Sequence, residues 1–426
     1  LFPGRWIFPP LGDFITFPPE NFLIGLSFYL YSNTPPVWDH TSVTGALTPW
    51  DERSETEQTI ALEVLLHGPL ARSALARRLG LSPASLTRLV GPLVADGLLE
   101  ETSDYGTSPS GRPTRPLQVV AAAGYFLGVR LTPDAAHAVI TNFRAEILSS
   151  ARTPLPATDP DTVVSTIADL VERLRAEQGV VPNRVGVSIG GLVEAHTTIR
   201  SATFFGWHNP VDLAALVRKA TGIPTVLDND VMALTRAQSW FGHGRGIDRF
   251  AVVTLGIGVG LGIVMHGELV ESSDTGLGLA GHFPLDPAGP LCPAGHQGCA
   301  QAMLTDEAVA ARTSVALRRP VTYDEALDLA GHGQPAAKAV VDQAGRALGR
   351  LVAAIANLTT CHLMLVTGEG ARLAEAASQA LHDQITVDRN PAAAPIRILT
   401  PHLTADDWAQ GPAVLAIQTL VRPLGT

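Results

Sequence analysis

The chain has 426 residues, of which 46% are apolar and 16% charged, with a formal net charge of −10 and three cysteines. That length accommodates two or three domains with cores of their own, and the composition excludes a disordered or collagen-like chain. Contact with nucleic acid must therefore come from a local basic patch, the few cysteines argue for a reducing cytoplasm over a disulfide framework, and no apolar run reaches the roughly 18 residues of a membrane helix.

Residues 1–50 differ from the rest of the chain. They carry 11 of the 24 aromatic residues, many prolines and one Lys or Arg, Arg5, and there is no initiator Met. The apolar run 22–31 is too short to span a bilayer and lacks the basic and small-residue flanks of a signal peptide. The expectation is a disordered extension or a stretch upstream of the true start; a partner-binding or membrane-touching segment is the other reading.

Residues 51–120 read as a winged helix-turn-helix DNA-binding domain. Ile60, Leu62, Val64, Leu65 and Leu66 suggest a first helix, stopped at Gly68-Pro69, and 71–79 a second, ended by Gly80. Ser82-Pro83 opens a third, with Ser as N-cap, Pro in the first turn and Leu86, Leu89, Val90, Leu93 and Val94 on its apolar side. Strands at 98–101 and 115–120 around the loop 106–113 complete the order helix, helix, turn, helix, hairpin. Arg72, Arg77, Arg78 and Arg88 lie in an acid-free stretch, 71–95, and Arg112 and Arg115 on the wing, without nearby acids. Ser82, Ser85, Thr87 and Arg88 fall where a recognition helix meets bases and phosphates. A small helical domain with a solvated basic face is the alternative.

From Gly124 strands alternate with helices, which reads as an α/β domain over 121–426. Strands are expected at 126–131, 136–141 and 146–148, a helix at 161–178, and a buried strand at 184–189 ending in Gly190-Gly191. A strand at 224–227 leads to Asp228-Asn229-Asp230 and a helix at 231–241. Polar side chains at such a strand end are where α/β proteins place ligands, although Asn229 and Asp230 also suit a helix N-cap. A strand at 250–255 runs into alternate glycines, 256–262, and a strand at 263–266; glycines there suit either phosphate contact or a tight hairpin. A long helix at 336–357, a strand at 362–367 before Gly368-Glu369-Gly370 and a closing helix at 408–421 complete the domain, with Cys361 a buried hydrophobe.

The stretch 281–299 holds two histidines, two cysteines and many Gly and Pro. His282, Cys292, His296 and Cys299 supply the four N or S ligands of a tetrahedral Zn²⁺, and a Gly/Pro-rich loop can fold them inward. A flexible loop with two free thiols is the alternative.

Several of these stretches resemble the ROK family of bacterial repressors and sugar kinases. They are the run 76–90 with its Gly-Arg-Pro wing, Gly-Gly-Leu-Val at 190–193, Gly206-Trp207, Asn229-Asp230, the glycine run and the loop 281–299. The resemblance covers about 56–424. It implies a two-lobed actin-like, ribonuclease-H-like ATPase fold behind the winged helix, with lobe 1 over about 121–227 plus a helix at 406–426 and lobe 2 over about 228–405. It implies sugar in the cleft near Gly191, Asn229, Asp230 and His282, with Asp230 at the family's general-base position and zinc ligated by His282. The loop departs from the family pattern: Ala294 stands where a cysteine belongs and Gln301 where a glutamate belongs, which leaves His296 as the replacement ligand. Leu279 stands in place of a second glutamate.

The kinases of the family carry an Asp-x-Gly-x-Thr turn for nucleotide phosphates. Here the matching residues run Val129-Arg130-Leu131-Thr132-Pro133-Asp134, with the aspartate replaced and Pro133 lacking an amide donor. The expectation is a non-enzymatic, cytoplasmic, dimeric (or dimer-of-dimers) regulator, a repressor of carbohydrate genes that binds operator DNA and a sugar or sugar derivative. Structural Zn²⁺ is expected, and neither ATP nor a membrane partner. An active sugar kinase and a regulator blind to sugar are the alternatives.

Overall fold

The computed structural model describes Trp50 and residues 53–102, 106–107 and 113–421. The expectations for residues 1–49, for Arg112 and for residues 422–426 lie outside these. Trp50, assigned by the sequence reading to the extension, is 1% exposed and stacks on Phe143 with ring centroids 4.5 Å apart.

Helix α1 (Glu55–His67) starts in a capping box: the Ser54 hydroxyl accepts from the Glu57 amide while the Glu57 carboxylate accepts from the Ser54 amide. Helix α2 (Arg72–Arg78) is short, and α3 (Pro83–Ala95) begins with Ser82 accepting from the Ser85 amide and Pro83 in the first turn. Leu86, Val90 and Leu93 recur at helical spacing and share one core with Ile60, Val64 and Leu75. Strand β1 (Leu99–Glu101) pairs antiparallel with β4 (Leu117–Val119), and β2 (Gly106–Thr107) with β3 (Pro113–Thr114) between them. Helix, helix, helix and strand pair stand in the order of a winged helix-turn-helix.

Two five-stranded sheets make up the rest. The first contains β5 (Tyr125–Thr132), β6 (Ala135–Asn142), β7 (Ile147–Pro154), β8 (Arg184–Ile189) and, past the small hairpin β9 (Leu192–Glu194) and β10 (Thr198–Ser201), β11 (Thr225–Asn229). Helix α4 (Pro160–Gln178) precedes β8 and α5 (Leu213–Thr221) precedes β11, and α6 (Asp230–Trp240) leaves β11 directly. The second sheet contains β12 (Arg249–Leu255), β13 (Val259–Met265), β14 (Glu268–Leu269), β15 (Leu363–Thr367) and β16 (Arg397–Leu399). Between β14 and β15 come α7 (Ala300–Leu304), α8 (Asp306–Leu317), α9 (Tyr323–Gly331) and α10 (Pro335–Thr359); between β15 and β16 come α11 (Arg372–Ala376) and α12 (Ser378–Asp388). The last described element is α13 (Ala405–Val421).

Numbered within each sheet in chain order, the strands lie 3-2-1-4-5 in both, with strand 1 antiparallel to strand 2 and parallel to strand 4. One topology is used twice, which is the two-lobed actin-like, ribonuclease-H-like architecture. Helix α13 packs on β5, β8 and β11 and on α6. It fits because Gly128 and Gly186 lack side chains: a Cβ would stand 2.1 Å from the Ala409 carbonyl oxygen at the first and 1.8 Å from that of Pro412 at the second. Beyond these strands, Val414, Ile417, Leu420 and Val421 enter the same core as Ile60, Leu65, Val90 and Leu117 of the winged helix.

Several boundaries differ from the sequence reading. Strand β7 is eight residues long where three were expected, because it is an edge strand whose exposed and half-buried residues alternate without an apolar signal. The glycine run does not form one long turn. Leu255 pairs with Val259 around Gly256-Ile257-Gly258, and Gly260 and Gly262 lie inside β13, where added Cβ atoms would meet Val231 and Thr235 of α6. Those two glycines serve helix-on-sheet packing.

Candidate functional site

The cleft is built at the carboxyl ends of two parallel strands. Strands β8 and β11 are in register to Ile189 and Asn229, so Gly190-Gly191 and Asp230 emerge side by side. Asn229, 7% exposed, caps α6 by accepting from the Val231 and Met232 amides at 2.9 and 3.4 Å, while its amide donates to the Gly191 carbonyl at 3.0 Å. The N-cap reading of Asn229 thus holds, and the same side chain fixes the Gly190-Gly191 turn. Gly191 cannot carry a side chain, since a Cβ would stand 2.4 Å from the Ser201 carbonyl oxygen.

Asp230 is half-buried, its Oδ1 accepting from the Val231 amide at 2.9 Å. Burial pushes its carboxyl above the ordinary range, against the pull of the nearby Arg130 guanidinium. Arg130 belongs to β5. Its guanidinium lies 4.1 Å over the Trp408 ring and 3.7 Å from a Glu369 carboxylate oxygen. Leu279, which opens the short turn before His282, is 64% exposed.

The second feature is the loop that precedes α7. His282 ends a short 3-10 turn, and Cys292 and Cys299 are buried with Ala302. The His282 Nδ1 is 3.8 Å from the Cys292 Sγ, 4.0 Å from the Cys299 Sγ and 3.1 Å from the His296 Nδ1, and the last is 3.7 Å from the Cys292 Sγ. A tetrahedron of N and S ligands around Zn²⁺ has edges of about 3.3–3.8 Å, and His282, Cys292 and Cys299 come near enough to one another to supply three of its corners. His282, Cys292 and Cys299 form the mutually close trio, and His296 approaches it from the exposed side. Backbone bonds between Cys292 and His296 and between Leu285 and Gly298 close the loop, and the Arg350 guanidinium, donating to the Leu285 carbonyl at 2.5 Å, ties it to α10.

The third feature is the exposed face of the winged helix. Arg77 and Arg88 are exposed and form no ion pair with any described residue. The acid-free surroundings expected of Arg72, Arg78 and Arg115 do not hold in space. Arg72 and Arg115 lie 3.1 and 3.8 Å from Glu101, which pairing of β1 with β4 brings to the wing, and Arg78 lies 2.6 Å from Glu63 of α1. Ser82 and Ser85 are joined by a hydroxyl contact at the start of α3, and the exposed Thr87 donates to the Pro83 carbonyl.

Sequence reasoning missed the connections between these features. Arg236 of α6, 5% exposed, donates to the buried Asp228 at 2.8 Å, to Gln418 of α13 at 3.0 Å and to Glu271. A charged residue on an apolar helix face was the available signal. At the junction with the winged helix, Arg245 donates to the Leu66 carbonyl at 2.7 Å and Arg144 to the Val119 carbonyl at 2.9 Å.

The ROK family model matches residues 126–419. The DNA-binding transcriptional repressor Mlc of Escherichia coli (strain K12) is 23% identical over 339 residues, 76% of this chain and 83% of that protein. Among solved structures, a ROK family transcriptional regulator described as a homologue of the E. coli MLC protein superposes with a TM-score of 0.74 at 23% identity, over 87% of this chain and 98% of its own. The ROK hexokinase of Thermus thermophilus superposes with a TM-score of 0.58 at 26% identity, over 68% and 97%. With a family match over more than half of its length and the family's doubled sheet, the chain belongs to the ROK family.

Proposed function

We propose that this protein is a sugar-responsive transcriptional repressor that binds operator DNA as a dimer and receives its effector in the cleft beside Asp230. The observation that carries the reading is the single core shared by the winged helix and α13. The same helix α13 lies against β5, β8, β11 and α6, which carry the cleft residues, so a ligand that shifts this packing shifts the reader with it. The similarity to a DNA-binding repressor along most of the chain supports the same reading.

In this reading Arg77 and Arg88 make the principal phosphate and base contacts, with Ser82, Ser85 and Thr87 beside them, and paired readers occupy two half-sites. Arg72, Arg78 and Arg115, held by carboxylates, contribute less. His282, Cys292, Cys299 and His296 hold a structural Zn²⁺, whose chemistry there is to brace the loop. No helix among the described residues is long and apolar enough to cross a membrane, and we place the regulator in the cytoplasm.

Fluorescence anisotropy with the DNA upstream of the protein's own gene tests the proposal. Specific binding should weaken steeply with salt and change with one sugar of a panel. Arg88→Glu should lose it with the melting temperature unchanged; unaltered affinity refutes the assignment of α3 as reader. Retention of the half-buried Asp230 at the family's base position favours one other reading, an active sugar kinase. It requires ATP consumption that depends on a sugar and disappears in Asp230→Ala.

A further inference from the structure

The end of the cleft where β5, β12 and β15 converge has an unusual charge arrangement. Gly368 and Gly370 clamp the turn after β15 onto β12: the Gly370 amide donates to the Leu255 carbonyl at 2.8 Å, and a Cβ at Gly368 would stand 2.3 Å from that same oxygen. Glu369 between them is thereby set over the next residue of the chain, Gly256, whose missing Cβ would stand 2.8 Å from its Oε2. A glycine turn stripped of side chains is where an oxyanion can approach backbone. In this chain a carboxylate of its own occupies that approach.

The countercharge comes from the other sheet. Arg130 is 12% exposed along its side chain, has its guanidinium against Trp408, and its Nε is buried with no hydrogen-bond partner. Glu369 is the carboxylate that lies within ion-pair distance, at 3.7 Å. That separation is long for a formed hydrogen bond, and Glu369 is 65% exposed, so the pair leaves much of the donor capacity of Arg130 unused. Asp306, at the start of α8, adds a second carboxylate: its amide donates to the Gly256 carbonyl at 3.2 Å, and burial together with Glu369 and Asp324 pushes its carboxyl up to about 6. The acidic groups around the turn repel an incoming anion, and Arg130 is the cation that faces them.

We propose that this is an anion site occupied from within: the Glu369 carboxylate stands on the Gly256 turn opposite Arg130, and an external phosphate, free or at the end of a phosphate ester, enters only when Glu369 is neutralised. The inference rests on the reading of the cleft as non-catalytic, and it specifies what keeps phosphates out. It also makes Glu369 and Arg130 a clasp between the two sheets.

The test is calorimetric titration of the full-length wild type and Glu369→Gln with orthophosphate, with ATP as competitor. Glu369 is exposed, so its substitution leaves packing intact. The wild type should show no saturable binding. Glu369→Gln should bind phosphate at least about tenfold more tightly, the effect of removing one adjacent like charge, with the phosphate displaced by ATP. Glu369→Gln with Arg130→Gln should lose the gain. Wild-type binding equal to that of Glu369→Gln overturns the proposal, as does Glu369→Gln without binding. If the double variant does not fold, Trp408 emission decides: phosphate should shift it in Glu369→Gln, not in the wild type, and the shift should vanish when Trp408→Phe is added. An unshifted Trp408 overturns the role of Arg130. Sugar-dependent ATP turnover by the wild type would sink the non-catalytic reading as well, whereas the failures above leave the DNA-binding reading untouched.

Discussion

Replacing Arg236 by methionine removes the cation from the most buried ionic network of the described residues. Asp228 is 3% exposed, and its Oδ2 accepts from Arg236 at 2.8 Å while its Oδ1 accepts from the Asn229 amide at 2.8 Å. Methionine matches the length of the stem but leaves the Asp228 charge buried without its countercharge, and Gln418 loses the donor it meets at 3.0 Å. Breaking a buried pair in this way costs about 3–5 kcal/mol. The loss should appear as a lowered urea midpoint with an unchanged slope in a denaturation series. Adding Asp228→Asn should recover much of it, because the stranded charge, and not the lost attraction, is the larger part. A loss below about 1 kcal/mol, or a double variant no better than the single one, would refute this account of the network. Because Asp228 precedes Asn229 and Gln418 belongs to α13, the single variant should also blunt any effect of sugar on DNA binding.

On the proposed zinc assignment, chelation should lower the melting temperature and release one Zn²⁺ per chain, measured by elemental analysis; Cys299→Ser should abolish retention and His296→Ala should weaken it, while equal retention in all variants would remove the loop from metal binding. Gly186→Ala sets a methyl group 1.8 Å from the Pro412 carbonyl oxygen, which is backbone and has no rotamer to adopt. It should destabilise by about 1–3 kcal/mol, read in the same denaturation series, with a neutral result showing that α13 can lift from β8.

Where burial follows a regular period, the sequence revealed its structure. Leu86, Val90 and Leu93 announced α3, and the valines and Ile189 of the strand expected at 184–189 placed β8 to the residue. Strand β7 was foreseen only at its start because Ser149, Ser150 and Thr153 give its remainder no apolar alternation, and α12 escaped because its apolar pattern is interrupted by His382 and Asp383. The candidate site divides in the same way. His282, Cys292, His296 and Cys299 lie close in sequence, so spacing alone proposed the cluster that the loop assembles. Glu101, Glu369 and Gln418, which Arg72, Arg130 and Arg236 meet, are remote from them in sequence, and no local pattern could pair them. The acid-free stretch 71–95 misled for that reason, since Glu63 and Glu101 reach it only through tertiary packing.

The core shared by α13 and the winged helix has a consequence for how the protein is made. During synthesis α1–α3 leave the ribosome some 300 residues before Val414, Ile417 and Leu420, which complete their apolar packing. Until that last helix docks, the reader exposes the surface that α13 will cover, together with the backbone carbonyls that Arg144 and Arg245 will meet. A half-made chain therefore lacks the finished apolar core of α1–α3, and truncation before α13 leaves that core open. On the function proposed above, the chain meets DNA only after its last helix has been made.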